Sequence, residues 1–287
     1  MISKYYSNNL IRFSTPLVLL CILISCTSQT KDTDETPKQD VEFVTDYGSI
    51  VIRLYDETPQ HRDNFLKLVN TGFYDSILFH RVIENFMIQA GDPDSRKSMV
   101  SDTLGDSDLP YTVPAEFSTN IFHKRGALGA ARDGNPARAS SSTQFYIVQG
   151  RIYTDSLLIV QEERINKWLA MNRVVNDSAN QKLIERRKEL YENDMADSAR
   201  LITEQLDVLA EIDLKNNERY VIPEAHREVY RTVGGAAHLD QNYTVFGEVV
   251  KGMDVVDKIA ATNTNDLDRP LEDIKIISAR LIKRGDD

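Results

Sequence analysis

The side chains best suited to chemistry lie in one short stretch of the chain, FHRVIENFMIQAGD. Two apolar runs flank Asn85, and asparagine readily takes the positive φ that a tight hairpin turn requires. If these runs pair antiparallel across the turn, Arg81 and Gln89 lie side by side on neighbouring strands. The same pairing places them beside the apolar side chains of Phe86 and Met87. Such a site would combine a fixed cation, a neutral amide and an apolar floor.

This stretch resembles the signature of the cyclophilin-type peptidyl-prolyl isomerases, which reads F-H-R, a few residues, and then F-M-x-Q-x-G-D. Every specified residue of that signature is matched between Phe79 and Asp92. A lone arginine in a strand is more often a rim residue paired with a carboxylate, but a match of this length favours the family. The resemblance implies that Arg81 and Gln89 are catalytic, that proline-containing polypeptides are the substrates, and that no cofactor is needed.

Two later segments extend the resemblance and supply the walls of a proline pocket. A run of small residues before Arg132 permits close approach of backbones, TQFYIV follows the next loop, and HLDQNYTVFGEV begins at His238. The resemblance implies that Ala131 and Arg132 contact an extended peptide through their main chains. Gln144 would help to orient the peptide, and Phe145 would form a wall of the pocket. The substrate-binding residues that it implies are Phe86, Met87, Ala131, Arg132, Gln144, Phe145, Leu239 and Tyr243.

The elements around these residues fit a barrel. Alternating apolar residues over 41–54, with a turn at Gly48, predict a β-hairpin. Thr58 followed by proline predicts the capped start of a helix that Gly72 ends, and residues 252–259 resemble the family's second helix. The resemblance implies a mainly β fold, namely a closed antiparallel eight-stranded barrel that two helices cap and an α-helical insertion interrupts.

The family pattern covers the chain in two parts. It runs over residues 41–150, breaks off, and resumes over residues 234–287. Residues 151–233 stand between the two parts and have no counterpart in the pattern. We therefore expect one catalytic domain in two segments, separated by an insertion.

The inserted residues carry apolar stripes at helical spacing. One amphipathic helix is predicted over residues 157–169, and Asp177 is expected to cap a second whose stripe covers residues 184–209. Pro223 is expected to begin a short third helix. The simplest interpretation is a helical hairpin whose two stripes pack on each other, and the alternative is an arm that binds a partner or acts as a chaperone.

The N-terminal residues are typical of an export signal. Two basic residues precede an almost unbroken apolar run at residues 13–24, which is too short for a comfortable permanent membrane span. The run ends in Leu-Ile-Ser-Cys, which resembles the bacterial lipobox. This resemblance implies removal of residues 1–25 as a signal peptide and attachment of lipid to Cys26. The alternative is an ordinary secretory signal with an incidental cysteine.

Residues 27–40 contain no side chain suited to core packing, so residues 26–40 are predicted to form a flexible tether. Their acidic cluster resembles the surface-export signals of Bacteroidetes lipoproteins, although a solvated linker explains it more simply. We therefore expect a lipid-anchored protein of the cell envelope, in the outer membrane, facing either the periplasm or the outside.

The composition argues against several other functions. Acidic residues number 44 against 34 basic ones, which leaves a net charge of −10 and no basis for a nucleic-acid surface. The histidines show no spacing typical of a catalytic metal site, and no phosphate loop, dinucleotide fingerprint or nucleophile elbow is present. The predicted function is prolyl isomerisation that assists the folding of envelope or secreted proteins. The alternative is a non-catalytic chaperone or scaffold, which would not need the guanidinium of Arg81.

Overall fold

A computed structural model describes residues 39–99 and 102–284 of the chain. The predicted signal peptide, the predicted lipid-bearing Cys26 and nearly all of the predicted tether lie outside these residues. Among the described residues, no helix is both long enough and apolar enough to cross a membrane.

Ten strands and six α-helices make up the described ranges. The strands are β1 (Gln39–Thr45), β2 (Gly48–Leu54), β3 (Phe79–Ile83), β4 (Met87–Ala90), β5 (Thr112–Val113), β6 (Ala127–Ala130), β7 (Ser140–Ser141), β8 (Phe145–Val148), β9 (Val245–Lys251) and β10 (Ile276–Lys283). The α-helices are α1 (Pro59–Asn70), α2 (Asp155–Asn176), α3 (Gln181–Glu192), α4 (Ala196–Asn216), α5 (Glu224–Thr232) and α6 (Met253–Ala260).

Eight strands form one antiparallel sheet in the order β10-β1-β2-β9-β6-β8-β4-β3, and β5 pairs with β7. This sheet curls into a half-barrel, so the prediction of a closed barrel is wrong. The edge strands β3 and β10 are not paired with each other in the described residues, although Phe79 N at the start of β3 donates at 2.9 Å to the carbonyl of Ile274, two residues before β10. Further along β3, the edge of the strand is covered by a turn and not by a closing strand. Val82 N donates to the carbonyl of Asp268 in that turn at 2.8 Å.

The concave side of the sheet holds one large apolar core, and the two predicted capping helices pack into it. The rings of Phe43, Phe65 and Phe145 are in mutual contact there, with centroids 5.4 to 6.0 Å apart. Helix α1 supplies Phe65, and helix α6 supplies Val256 and Ile259. Aromatic pairs of this geometry add to the stability that burial of their area provides.

Helix α1 begins at Pro59 as predicted, but Thr58 does not cap it through its side chain. The side-chain oxygen of Thr58 is buried without a hydrogen-bond partner among the described residues. Glu116, from a distant loop, instead accepts from Gln60 N at 3.1 Å and from His61 N at 3.0 Å. A carboxylate is the favoured cap at the positive end of a helix, and its position in a distant loop could not be inferred from the sequence.

Helices α2 to α5 lie within the residues predicted to form the insertion. The predicted second helix is in fact two helices, because the chain turns between α3 and α4 at Asp194, whose φ is 55°. The stripe residues nearest this turn, Tyr191 and Met195, are consequently exposed. Helices α2, α3 and α4 share one apolar cluster, and α5 follows Pro223 as expected.

Candidate active site

The hairpin of β3 and β4 brings Arg81 and Gln89 together, as the sequence predicts. Arg81 is paired directly with Gln89 in the ladder. Asn85 has a φ of 62° in the connecting turn, the left-handed conformation that asparagine tolerates. Because residues paired across an antiparallel ladder share one face of the sheet, both side chains project to the same side.

These two side chains line a cavity of about 180 Å³. The β3–β4 hairpin forms one side of it, the residues after β6 form another, and a 3₁₀ turn before β9 completes it. The cavity thus combines a cation and an amide with apolar walls, as the predicted site does. The predicted residues that line it are Arg81, Phe86, Met87, Gln89, Ala131, Arg132, Leu239 and Tyr243.

Phe145 is not a wall of this cavity, which corrects the prediction. Its side chain is 1 % exposed and lies in the core on the other side of the sheet. The next residue, Tyr146, lines the cavity. Successive residues of a strand point to opposite faces, so an assignment that is off by one residue moves the ring from the site to the core. The pairing of Tyr146 with Gln89 is the signal that identifies the correct residue, since paired residues share a face.

Tyr146 is held in place by its neighbours. Its ring lies across Gly129, where any Cβ atom would overlap the ring, so a small residue is needed at this position to admit a side chain. The hydroxyl of Tyr146 lies 2.8 Å from Nε2 of His123, whose Nδ1 lies 2.8 Å from a carboxylate oxygen of Asp240. The other oxygen of Asp240 accepts from the hydroxyl of Tyr230 on α5 at 2.7 Å. A buried chain of hydrogen bonds therefore links the cavity to the helical segment.

Gln144 lies behind the cavity and does not line it. Its Nε2 donates to the carbonyls of Gly105 at 2.8 Å and Ser107 at 2.9 Å. Its Oε1 accepts from Nε2 of Gln89 at 3.1 Å. Gln144 is therefore held by two carbonyls, and its own oxygen fixes the orientation of the Gln89 amide. A direct contact between Gln144 and a bound peptide stays a prediction.

Within the described part of the chain, the guanidinium of Arg81 has one ionic partner. Its Nε lies 3.3 Å from Oδ2 of Asp268, a residue that no sequence pattern singles out, because only the folded chain brings the two together. Its two terminal nitrogens make no hydrogen bond within the described residues. The charge is thus anchored on one side and free toward the cavity.

Two histidines near the site, His80 and His238, are poor acids and bases at neutral pH. His238 packs against Phe86 with ring centroids 5.1 Å apart and the ring planes tilted by 36°. Burial, and next the charge of Arg164, lower the pKa of His238 to about 4. Burial lowers the pKa of His80 likewise to about 4. Both rings are therefore neutral above about pH 5 and serve as packing groups.

One group of described side chains resembles the arrangement of a nucleophile, a base and an acid, namely Ser140, His61 and Glu116. Nε2 of His61 lies 2.9 Å from the Ser140 hydroxyl, and Nδ1 lies 2.7 Å from Glu116. Ser140 is only 1 % exposed, so a substrate carbonyl could not reach it. These residues instead fasten α1 to the loop that carries β7. In the described ranges, no group of three or more potential metal ligands is close enough to hold an ion.

Comparisons with known proteins identify the family of the chain. The chain matches the family described as cyclophilin type peptidyl-prolyl cis-trans isomerase/CLD over residues 40–175 and 212–281. A Staphylococcus saprophyticus protein named "Putative peptidyl-prolyl cis-trans isomerase" is 28% identical over 240 residues, which cover 83% of this chain and 89% of that protein. A Streptococcus pyogenes protein named "Putative bifunctional phosphatase/peptidyl-prolyl cis-trans isomerase" is 30% identical over 239 residues, but the chain spans only 37% of its length.

A solved structure agrees with the fold. The crystal structure of a Cryptosporidium parvum cyclophilin type peptidyl-prolyl cis-trans isomerase has a TM-score of 0.51 and 16% sequence identity, and the match covers 86% of this chain and 99% of that one. At this identity the similarity bears on the fold alone. The family match covers well over half of the residues and includes both strands that carry Arg81 and Gln89. This chain belongs to the cyclophilin-type peptidyl-prolyl cis-trans isomerase family.

Proposed function

We propose that this protein catalyses rotation about Xaa-Pro bonds in polypeptides, with Arg81 as the group that lowers the barrier. The observation that carries the proposal is the half-buried guanidinium at the cavity, anchored through Nε and free at its terminal nitrogens among the described residues. Binding of a proline ring alone would be served by the apolar walls. A cation held at the rim of such a pocket is not needed to bind a proline ring, so its presence favours a catalytic role.

The chemistry follows from the nature of the imide bond. Resonance keeps this bond planar with a barrier of roughly 18–20 kcal/mol, although its cis and trans forms differ by only about 0.5–1 kcal/mol. In the twisted form the proline nitrogen becomes pyramidal and regains its lone pair. A guanidinium directed at that nitrogen stabilises the twisted form more than the planar form, which is the condition for catalysis.

The surrounding side chains have supporting roles in this proposal. Phe86, Met87 and Tyr146 hold the pyrrolidine ring in a partly dry pocket, where the charge of Arg81 acts more strongly than in water. Gln89, fixed by Gln144, hydrogen-bonds a flanking carbonyl as the bond turns. No group needs to gain or lose a proton.

The test is a measurement of cis–trans exchange in a short Xaa-Pro peptide by NMR, with the full-length protein and two variants. We expect Arg81→Ala to lose on the order of 100- to 1,000-fold in kcat/KM, the usual loss for one preorganised donor at about 2.7–4 kcal/mol. Arg280→Ala is the matched control, because this arginine is 65% exposed and pairs with Glu42 on the far edge of the sheet. A folded Arg81→Ala protein with near wild-type activity would exclude the mechanism.

The non-catalytic alternative gives a different result in the same experiment. A chaperone or scaffold would bind the peptide through the apolar walls, and it would leave the exchange rate unchanged in the wild type and in both variants. Peptide binding without acceleration would therefore support that alternative.

The setting of this activity is a further part of the proposal. The lipobox-like residues before Cys26 support a lipid-anchored enzyme at the cell envelope, whose clients would be envelope or secreted proteins. Mass spectrometry of the protein from the producing cells should find diacylglycerol on Cys26, and Cys26→Ser should move the protein out of the membrane fraction. An unmodified cysteine in a membrane-bound protein would contradict this assignment.

A further inference from the structure

A second cavity of about 530 Å³ adjoins the first one. One of its walls is the loop over residues 132–138, and the other is formed by helices α2, α3 and α4 of the helical segment. Arg132 and Tyr243 line both cavities. A polypeptide that occupies the proline pocket can therefore continue directly into this second cavity.

Positive charge is concentrated in the second cavity. Arg132, Arg138 and Arg187 all line it, and none has a carboxylate within ion-pair distance in the described ranges. The chain as a whole has a net charge of −10, and Arg173 on the same helical segment does pair with an acid, Asp213.

The guanidinium groups of the loop are held by neutral partners. Arg132 donates to the backbone and side-chain oxygens of Asn242 at 2.9 and 2.8 Å. Arg138 donates to the carbonyl of Gln241 at 2.8 Å. Burial, and next the charge of Arg132, lower the pKa of Arg138, as expected where cations crowd without a counter-ion. The one acid on the rim, Asp133, accepts from Asn135 at 2.6 Å.

The helical wall is mainly apolar. Trp168 and Met171 of α2 and Ile184 of α3 face the cavity beside Arg187. An occupant must therefore present apolar surface to the helices and negative charge to the arginines. A segment of unfolded polypeptide with an aspartate or glutamate meets both conditions.

We propose that the second cavity is a binding site for the client polypeptide that extends the proline pocket and accepts a carboxylate side chain near the proline. The site rests on the proposed function, since it assigns a client preference to the same enzyme. At about 3.3 Å per residue in an extended chain, a cavity that shares walls with the proline pocket is reached within roughly two to five residues. The helical segment thereby becomes part of the substrate-binding surface.

The experiment uses the full-length protein and peptides of equal length with one central proline. A single glutamate is moved from five residues before the proline to five residues after it, and each peptide is matched by one with glutamine. Trp168 is the only tryptophan of the chain, so its fluorescence reports occupancy of the cavity. At the best position we expect glutamate to bind about 3- to 10-fold more tightly than glutamine, and Trp168 emission to change as it binds.

Variants at two neighbouring positions of α3 provide the matched comparison. Arg187→Glu should remove the preference for the glutamate peptide and create a preference for a lysine peptide. Arg187→Gln should remove the preference for glutamate without creating one for lysine. Arg186→Glu makes the same change of charge one residue earlier, where the side chain is 59% exposed, pairs with Glu189 and does not line the cavity. It should leave the preference intact.

The outcomes separate this inference from the proposed function. Rapid isomerisation with equal affinity for glutamate and glutamine peptides and unchanged Trp168 emission would overturn the inference and leave the function standing. A glutamate preference that Arg187→Glu reverses, without any isomerisation, would support the site and overturn the function. If Arg186→Glu and Arg187→Glu change the preference equally, the net charge of the protein explains it without any contact in the cavity. That result would overturn the proposed binding site.

Discussion

Arg81 Nε and Asp268 Oδ2 lie 3.3 Å apart, and the two side chains are 43% and 42% exposed. Asp268 is itself fastened to the strand of Arg81, because its carbonyl accepts from Val82 N at 2.8 Å. The turn that covers the edge of β3 thus also supplies the counter-ion of the central cation. Such a contact fixes the guanidinium from behind and leaves its terminal nitrogens for the substrate.

Removal of this counter-ion should have a small but specific effect. We expect Asp268→Ala to lower kcat/KM about 2- to 5-fold, because exposed ion pairs contribute up to about 1 kcal/mol. The same substitution should have no further effect in an Arg81→Ala background, since it acts through Arg81 alone. Asp266→Ala, in the same turn, serves as the control. An equal loss in both backgrounds would show that Asp268 acts by another route.

Phe145 and Tyr146 should separate stability from activity. Phe145→Leu removes part of a buried ring from the core, so it should lower the free energy of unfolding by about 1–3 kcal/mol. Its activity per folded molecule should stay near wild type. Tyr146→Ala removes a wall of the cavity and should lower kcat/KM at least tenfold. Urea unfolding and peptide exchange measured on both variants test this, and a loss of activity confined to Phe145→Leu would contradict the assignment.

This pair of residues shows what the sequence could predict. The FHR and FMxQxGD residues are contiguous in the chain and share one hairpin, so the pairing of Arg81 with Gln89 followed from local pattern and turn chemistry. Phe145 and Tyr146 are both aromatic, and only the pairing of β8 with β4 decides which of them faces the site. The sequence contains no marker of that register.

The same limit explains the other differences. The contacts of Asp268 with Arg81 and of Glu116 with the start of α1 join residues far apart in the chain, which no periodicity records. The break between α3 and α4 does have a local signal, because Asn193 and Asp194 are weak helix formers that favour turns, but the apolar stripe continues across it and predicts one helix. The sheet stays open as a half-barrel because the turn at Asp268, and not another strand, covers the edge of β3, and this contact is also between residues far apart in the chain.

The buried link from Tyr146 to Tyr230 should matter for substrate affinity. Tyr230→Phe would remove the hydroxyl that donates to one oxygen of Asp240. Because Asp240 is only 2 % exposed, water could not readily replace that donor. We expect a loss of about 1–3 kcal/mol of stability and a rise in KM of roughly 2- to 5-fold with little change in kcat, because the wall at Tyr146 is less firmly held.

Tyr153→Phe is the matched control for this prediction. Tyr153 packs against Tyr230 with ring centroids 5.7 Å apart, and no hydrogen bond joins its hydroxyl to Asp240 in the described ranges. It should leave KM unchanged. If both variants lose stability equally and neither alters KM, the link from the helical segment to the cavity has no role in substrate affinity.

His80 should make the protein sensitive to mild acid. Its ring is 4 % exposed, and neither nitrogen has a hydrogen-bond partner among the described residues. Burial lowers its pKa to about 4 in the folded protein, whereas an unfolded histidine titrates near 6.5. Between these values the unfolded chain binds a proton that the folded chain does not. Stability therefore rises with pH across this window and is lost as the pH falls from about 6.5 to about 4.

The contribution of this one group is on the order of 3 kcal/mol. Urea unfolding at pH 7 and at pH 4.5 should show the loss in the wild type and a clearly smaller loss in His80→Leu, because the variant has no proton to gain at this position. His238→Gln tests the second histidine with a pKa of about 4 in the same way. An identical pH dependence in the wild type and in His80→Leu would mean that His80 is not held neutral by burial.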